Sequence, residues 1–225
     1  MSDRKILIIR NAASYDFGGG ERFPVFLAET LKSQGLSPIV ISRSEKLLQF
    51  TENSQIPSIK SWWWAKQQWS GINNFLIPAY YAWQLFLTSY YRRLFKKLQP
   101  SAVHIQSKDD FIAATRAAKK LGIRVVWTDH ADLKHVWQNL SVWYKNPIGK
   151  MVHKAAAHAD AITLVSKSEL ELVSAHLPEN SPARQKLTVI YNGVVDSAAQ
   201  HPAKKNEAFT YLVGLILSIL FKTRR

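Results

Sequence analysis

"KILIIRNAASYDFGGGERFPVFLAETLKSQGLSPIVIS", Lys5 to Ser42, carries the pattern on which the fold turns. "KILIIR" (Lys5 to Arg10) reads as a buried strand, "GGGERFPVFLAETLKSQG" as a glycine loop entering a helix, and "SPIVIS" as the next strand. Short β-branched runs separated by helix-length polar segments indicate βαβ units and a parallel sheet. The alternation continues outward. Further strand-like runs are "AVHIQ" (102–106), "IRVVWT" (123–128), "AITLVS" (161–166) and "KLTVIY" (186–191). Helical stretches lie between them at Asp109 to Leu121, roughly Ile148 to His158, and Lys167 to His176. With right-handed crossovers this is a single α/β domain with a doubly wound parallel sheet of about six or seven strands.

Length and composition agree with that architecture. The chain has 225 residues, 47% of them hydrophobic and 20% charged, which is ordinary globular composition. There are 30 Lys and Arg against 16 Asp and Glu, a net charge of +14, and this balance favours a polyanionic partner such as nucleic acid or an anionic membrane. Cysteine is absent, which excludes disulfides, thiolate catalysis and thiolate metal sites and fits a cytoplasmic location. The apolar core of "MSDRKILIIR" is too short for a signal peptide, and no run reaches the roughly 18 to 20 apolar residues that span a bilayer.

One segment breaks the rhythm. Residues 61–99 hold five of the eight tryptophans, and from Asn53 through Lys108 there is no acid but seven bases. With Leu94 at the centre of a helical face, Tyr80, Trp83, Leu87, Tyr91 and Leu98 share its side. Arg92 and Lys96 then lie opposite, with Arg93 and Lys97 flanking. That is the signature of an amphipathic helix lying in a headgroup layer, with Trp83, Arg92, Arg93, Lys96 and Lys97 as membrane contacts. The alternative is that the aromatics pack on the sheet and the bases form a solvated face. Basic residues set among bulky aromatics match no nucleic-acid recognition motif, so nucleic acid is not the expected partner.

Three places carry residues suited to chemistry. Gly18, Gly19 and Gly20 let backbone N–H groups approach an anion at a helix N-terminus, or they form a turn without a ligand. A dinucleotide fingerprint is missing, since its third glycine would fall at Phe23. "TDHAD" (128–132) stands at the carboxyl end of a strand, where open α/β sheets bind ligands. His130 there is a ligand contact, a general base or a structural histidine. Asp129 and Asp132 alone are a weak cation site, and His104 reads as a satisfied core residue. "YNGV" (191–194) holds Asn192 and Gly193, a pair that favours a sharp turn.

The ordered set resembles the N-terminal half of GT-B retaining glycosyltransferases of the family-four-like group. The matching pieces are Gly18 to Gly20, Thr128 with His130, "LVSKSELELV" (164–173) and "VIYNGVVD" (189–196), over roughly residues 4–214. The resemblance implies a Rossmann-like acceptor-side domain at 1–195, a linker at 196–207, and Asn192 and Gly193 at the hinge before a second domain. It implies that the glycine loop and His130 face the interdomain cleft, the loop near the donor diphosphate and acceptor and the main chain at His130 near the donor sugar. Gly18, Gly19, Gly20 and Thr128 are then substrate- or phosphate-binding and His130 catalytic, and no metal or cofactor is required, because protein dipoles and cationic side chains stabilise the leaving diphosphate. The doubled valine at 194–195 shifts Asp196 from its expected place.

"FTYLVG" (209–214) fits the first strand of that second domain, although Leu215 stands where the family has a diphosphate-binding arginine. Residues 208–225 are therefore expected to be a lone strand with an exposed apolar tail, as in a truncated chain. The reading is a hexosyltransferase that moves a sugar from a nucleotide-sugar to a lipid-linked or envelope glycan acceptor at the inner face of the membrane. On this reading the truncated chain is inactive alone. The alternatives are a non-catalytic membrane-associated binding domain, or one half of a split glycosyltransferase with a separately encoded donor domain as its partner.

Overall fold

The computed structural model describes residues 4–11, 19–63, 77–130, 147–191 and 213–219. Seven strands form one parallel sheet: β1 (Lys5–Ile9), β2 (Ser37–Ser42), β3 (Ser58–Lys60), β4 (Ala102–Ile105), β5 (Arg124–Asp129), β6 (Ala161–Leu164) and β7 (Leu187–Val189). Their order is β3-β2-β1-β4-β5-β6-β7, so the direction of winding reverses between β1 and β4. The helices are α1 (Gly19–Ser33), α2 (Glu45–Asn53), α3 (Ile77–Leu98), α4 (Lys108–Lys120), α5 (Pro147–Ala156), α6 (Lys167–His176) and α7 (213–219). The Rossmann-like doubly wound sheet read from the sequence is the observed fold.

Alternation along the strands divides the core. Ile6, Ile8, Ala102, Val126 and Ala161 face one way, toward Phe23, Leu27 and Leu31 of α1 and Leu47 of α2. Leu7, Ile9, Val103, Ile105, Trp127 and Ile162 face the other, toward residues of α3, α4, α5 and α6. Right-handed crossovers dictate this split. The steps from β1 to β2 to β3 put α1 and α2 on one face, and the return to β4 and outward puts the next four helices on the other. Helices α1 and α4 both stop at a left-handed glycine: Gly35 (φ 75°) and Gly122 (φ 71°). The next N–H then closes the turn, from Leu36 to the Leu31 carbonyl and from Ile123 to Ala118.

Three expectations need correction. The seventh strand is not the tail but β3, a three-residue edge strand too short to show a pattern. Residues 213–219 are helical, so the expected strand fails at Val213 and Gly214, while 208–212 lie outside the described residues. Nor is the described part of the tail bare. Val213, Ile216 and Ile219, spaced by three, are buried on the α1 face with Val126 and Ala161. Burial of each such side chain contributes about 1.5 to 3 kcal/mol.

The third correction concerns α3. Its Leu87, Tyr91 and Phe95 are buried in the core, and Tyr80, Trp83, Leu94 and Leu98 pack against that core. The aromatic stripe built around Leu94 therefore covers the sheet and α4 and is not a membrane face. Arg92, Arg93, Lys96 and Lys97 are solvent-exposed. A different apolar group is exposed: Trp62 (57%), Tyr81, Leu85 (62%) and Phe86.

Candidate functional site

In an open parallel sheet the crevice for ligands opens beyond the carboxyl ends of the strands where winding reverses. In this chain Arg10 and Asn11 follow β1, Ser61 and Trp63 follow β3, Gln106 and Ser107 follow β4, and His130 follows β5. They form two connected polar groups.

The first lies on the α1 face. His104 Nε2 is 2.6 Å from Thr128 Oγ1, which is 2.5 Å from Thr163 Oγ1. Thr163 donates to the Trp127 carbonyl at 3.1 Å. On the other side Gln106 Nε2 is 3.2 Å from His104 Nδ1, and Gln106 Oε1 is 3.2 Å from His130 Nε2. Strand register makes this possible, because Thr128 is paired directly with Thr163 and residues two apart share a face. Arg10 Nη1 donates to the Gln106 carbonyl at 3.1 Å. Phe23, on the first turn and a half of α1, sets its ring against His130 at 4.3 Å and 68°. The helix that the glycines open and the histidine at the end of β5 are thus brought together. Burial lowers both imidazoles to about 3, and for His130 the Arg10 charge adds to the effect. Both rings are neutral at neutral pH.

The second group joins the ends of β1, β3 and β4 to α3 and α4. Asp110, in the first turn of α4, accepts from Tyr91 OH at 2.7 Å, Trp63 Nε1 at 3.0 Å and Asn11 Nδ2 at 3.0 Å. Asn11 accepts in turn from Ser61 Oγ, and its backbone N–H donates to Ser107 Oγ. One carboxyl group thereby ties together the ends of β1, β3 and β4 with α3 and α4. Burial pushes the Asp110 carboxyl above its usual range, and the hydrogen bonds from Tyr91, Trp63 and Asn11 pull it back. Burial likewise holds the Tyr91 phenol well above its ordinary value, so it is a neutral donor.

Gly19 and Gly20 are the first two residues of α1, while Gly18, Asn192 and Gly193 lie outside the described residues, as does Asp132. Thr128 is buried, and its hydroxyl is committed to His104 and Thr163. It supports the site from within the sheet. His104 is the satisfied core residue expected, but it is also wired to His130 through Gln106. Among the described residues no three His, Asp or Glu gather closely enough to hold a metal ion. Sequence reasoning missed Phe23, Gln106, Thr163 and the Asp110 group. One signal was present: polar side chains two apart in strands otherwise buried, His104 with Gln106 and Thr128 with His130. No such period marks the Asp110 group, because its members come from five elements.

Residues 17–197 match the family model of Glycosyltransferase Family 4. Among solved structures, a glycosyltransferase from Rickettsia africae ESF-5 is similar with a TM-score of 0.56 and 23% identity, over 91% of this chain and 48% of that one. The lipopolysaccharide outer core galactosyltransferase WaaB gives 0.55 and 19%, over 87% and 47%. Anabaena HepE in complex with UDP-glucose gives 0.54 and 14%, over 93% and 50%. At these identities the likeness is one of fold. The chain spans about half the length of each. No curated protein sequence matches it.

Proposed function

The chain belongs to Glycosyltransferase Family 4, and from that membership we propose that it is the acceptor-side half of a GT-B hexosyltransferase. The reaction is transfer of a sugar from a nucleotide-sugar to a lipid-linked or envelope glycan acceptor. The observation that carries this reading is the meeting of His130, Gln106 and Arg10 with the first turns of α1, beside the reversal of strand order. Gly19 and Gly20 at the start of α1 supply N–H groups for the donor diphosphate, with Gly18 before them. His130 contacts the transferred sugar. Asn192 and Gly193 form the hinge, residues 196–207 the linker, and a donor domain supplies the opposing wall. Positioning across a closed cleft contributes roughly 7 to 11 kcal/mol in favourable cases, so the 225-residue chain alone is inactive. HepE was solved with UDP-glucose, which makes UDP-hexoses the first donors to assay. Turnover is expected only when a donor domain is added in trans, and His130→Ala should then reduce it about 100- to 1,000-fold, on the scale of one lost polar contact to the reacting group. Steady turnover by the isolated chain, or full activity of the His130→Ala variant, would overturn the proposal.

A second reading concerns where the acceptor is met. No helix among the described residues is long and apolar enough to cross a membrane. Exposed Trp62, Tyr81, Leu85 and Phe86 cluster at the N-terminal half of α3, where Trp62 lies edge-on to Trp83 and Phe86. Arg92, Arg93, Lys96 and Lys97 are exposed about two to three turns further on, about 10 to 18 Å along the axis from Leu85. Aromatics ahead of bases suit a helix whose tip enters an anionic headgroup layer, as at the inner face of a membrane. Each base there is worth about 1 kcal/mol. Changing all four to Glu should weaken binding to anionic vesicles at least about 100-fold in co-sedimentation. Unchanged binding would remove the membrane from the proposal.

A further inference from the structure

The hydrogen bonds that end at His130 have a direction. Thr163 donates its one hydroxyl proton to the Trp127 carbonyl, and a carbonyl only accepts. The 2.5 Å contact with Thr128 must then be a donation from Thr128 to Thr163. Thr128 in turn can only accept from His104 Nε2, which carries the ring proton. His104 is neutral, so its Nδ1 is a lone pair and accepts from the Gln106 amide nitrogen. That turns the Gln106 oxygen toward His130, whose Nε2 must bear the proton. What is left is His130 Nδ1, a buried lone pair without a hydrogen-bond partner among the described residues.

We propose that Gln106 is a positioning residue that transmits this direction to His130, holding the ring as its Nε2–H tautomer so that Nδ1 is a preset acceptor for a hydroxyl group of the bound ligand. The tautomer follows from the hydrogen-bond geometry and the neutral state of buried His104. That the hydroxyl belongs to a sugar rests on the glycosyltransferase reading. An unsatisfied buried acceptor is costly until a donor reaches it, so the site discriminates for ligands that present O–H and against those that present an anion. Burial also lowers the ring to about 3, so it is neutral and keeps a lone pair to accept with.

The test needs no turnover. Long-range proton–nitrogen correlation spectra of the 225-residue chain, labelled with nitrogen-15 in histidine, report which ring nitrogen of each histidine bears the proton. His130 is expected with Nε2 protonated and Nδ1 bare. Thr163→Val is nearly isosteric and removes the anchor, freeing Thr128 to donate to His104. The chain of bonds then reverses, and the His130 proton should shift toward Nδ1. Gln106→Leu should leave His130 a mixture of the two tautomers, while Gln106→Glu, which still offers an oxygen, should keep Nε2–H. Protonation at Nδ1 in the unaltered chain overturns the inference even if no variant folds. So does a His130 spectrum unmoved by Thr163→Val or Gln106→Leu in chains with unaltered circular dichroism. Absence of glycosyl transfer would count against the proposed function and leave this result standing.

Discussion

Asp110→Ala is expected to lower stability by about 4 to 6 kcal/mol, because it strands three buried donors at roughly 1 to 3 kcal/mol each. Tyr91 OH, Trp63 Nε1 and Asn11 Nδ2 all end on this carboxyl group, and Asp110 is fully buried. Water entering the space left by the side chain recovers part of the loss, which is why the estimate lies below the upper sum. For a chain of this size the loss corresponds to a fall in melting temperature of about 10 to 20 °C. Asp110→Asn should be milder. It keeps an oxygen for Tyr91 and Trp63 but sets an amide donor against the Asn11 amide. Thermal unfolding followed by near-ultraviolet circular dichroism is the right measurement, since Trp63 and Tyr91 report directly on the group. A melting temperature within about 2 °C of the unaltered chain would mean that the group is not holding the crevice together.

The second large effect is expected at α7. Ile216 is 1% exposed and packs with Val213 and Ile219 in the core layer that includes Val126 and Ala161. Ile216→Asp removes the apolar contacts and buries an unpaired carboxylate, at a cost of about 4 kcal/mol or more. The helix should detach and expose the sheet, so binding of a hydrophobic dye ought to rise along with the loss of stability. Ser218 is exposed on the same helix, and Ser218→Asp is the matched control, expected within about 0.5 kcal/mol of the unaltered chain. Equal melting temperatures for the two variants would show that α7 contributes nothing to the fold.

The fold was legible because its signal is local. A parallel strand covered on both faces must be apolar at nearly every position, and Lys5 to Ile9 or Ala161 to Leu164 show this without reference to any neighbour. The candidate site was legible in part. His130 could be found from its place at a strand end, and the helix start at Gly19 and Gly20 from its glycines. The face of α3 that holds Leu87, Tyr91 and Phe95, by contrast, was read as turned to a membrane and packs in the core. An amphipathic helix has the same period whether its apolar stripe meets a bilayer or a sheet, and the aromatic stripe of α3 fits both. The tail failed for a related reason. "YLVGLILSILF" suits a strand or a short helix, and the choice depends on whether a bare area of sheet is waiting for it.

What the sequence determined by itself, then, is six of the seven strands with most of the helices between them, the parallel sheet, the family pattern and the position of His130. These follow from periodicity and from residues whose backbone preferences act over a few positions. Tertiary structure alone decided that α3 turns Tyr91 and Phe95 inward, that α7 covers the sheet, and that Asp110 gathers Asn11, Trp63 and Tyr91. It also decided that the state of His130 is set from Thr163 through Gln106. Hydrogen-bond direction and burial are properties of what lies across the sheet, and a linear pattern carries no record of which side chains the crossovers bring face to face.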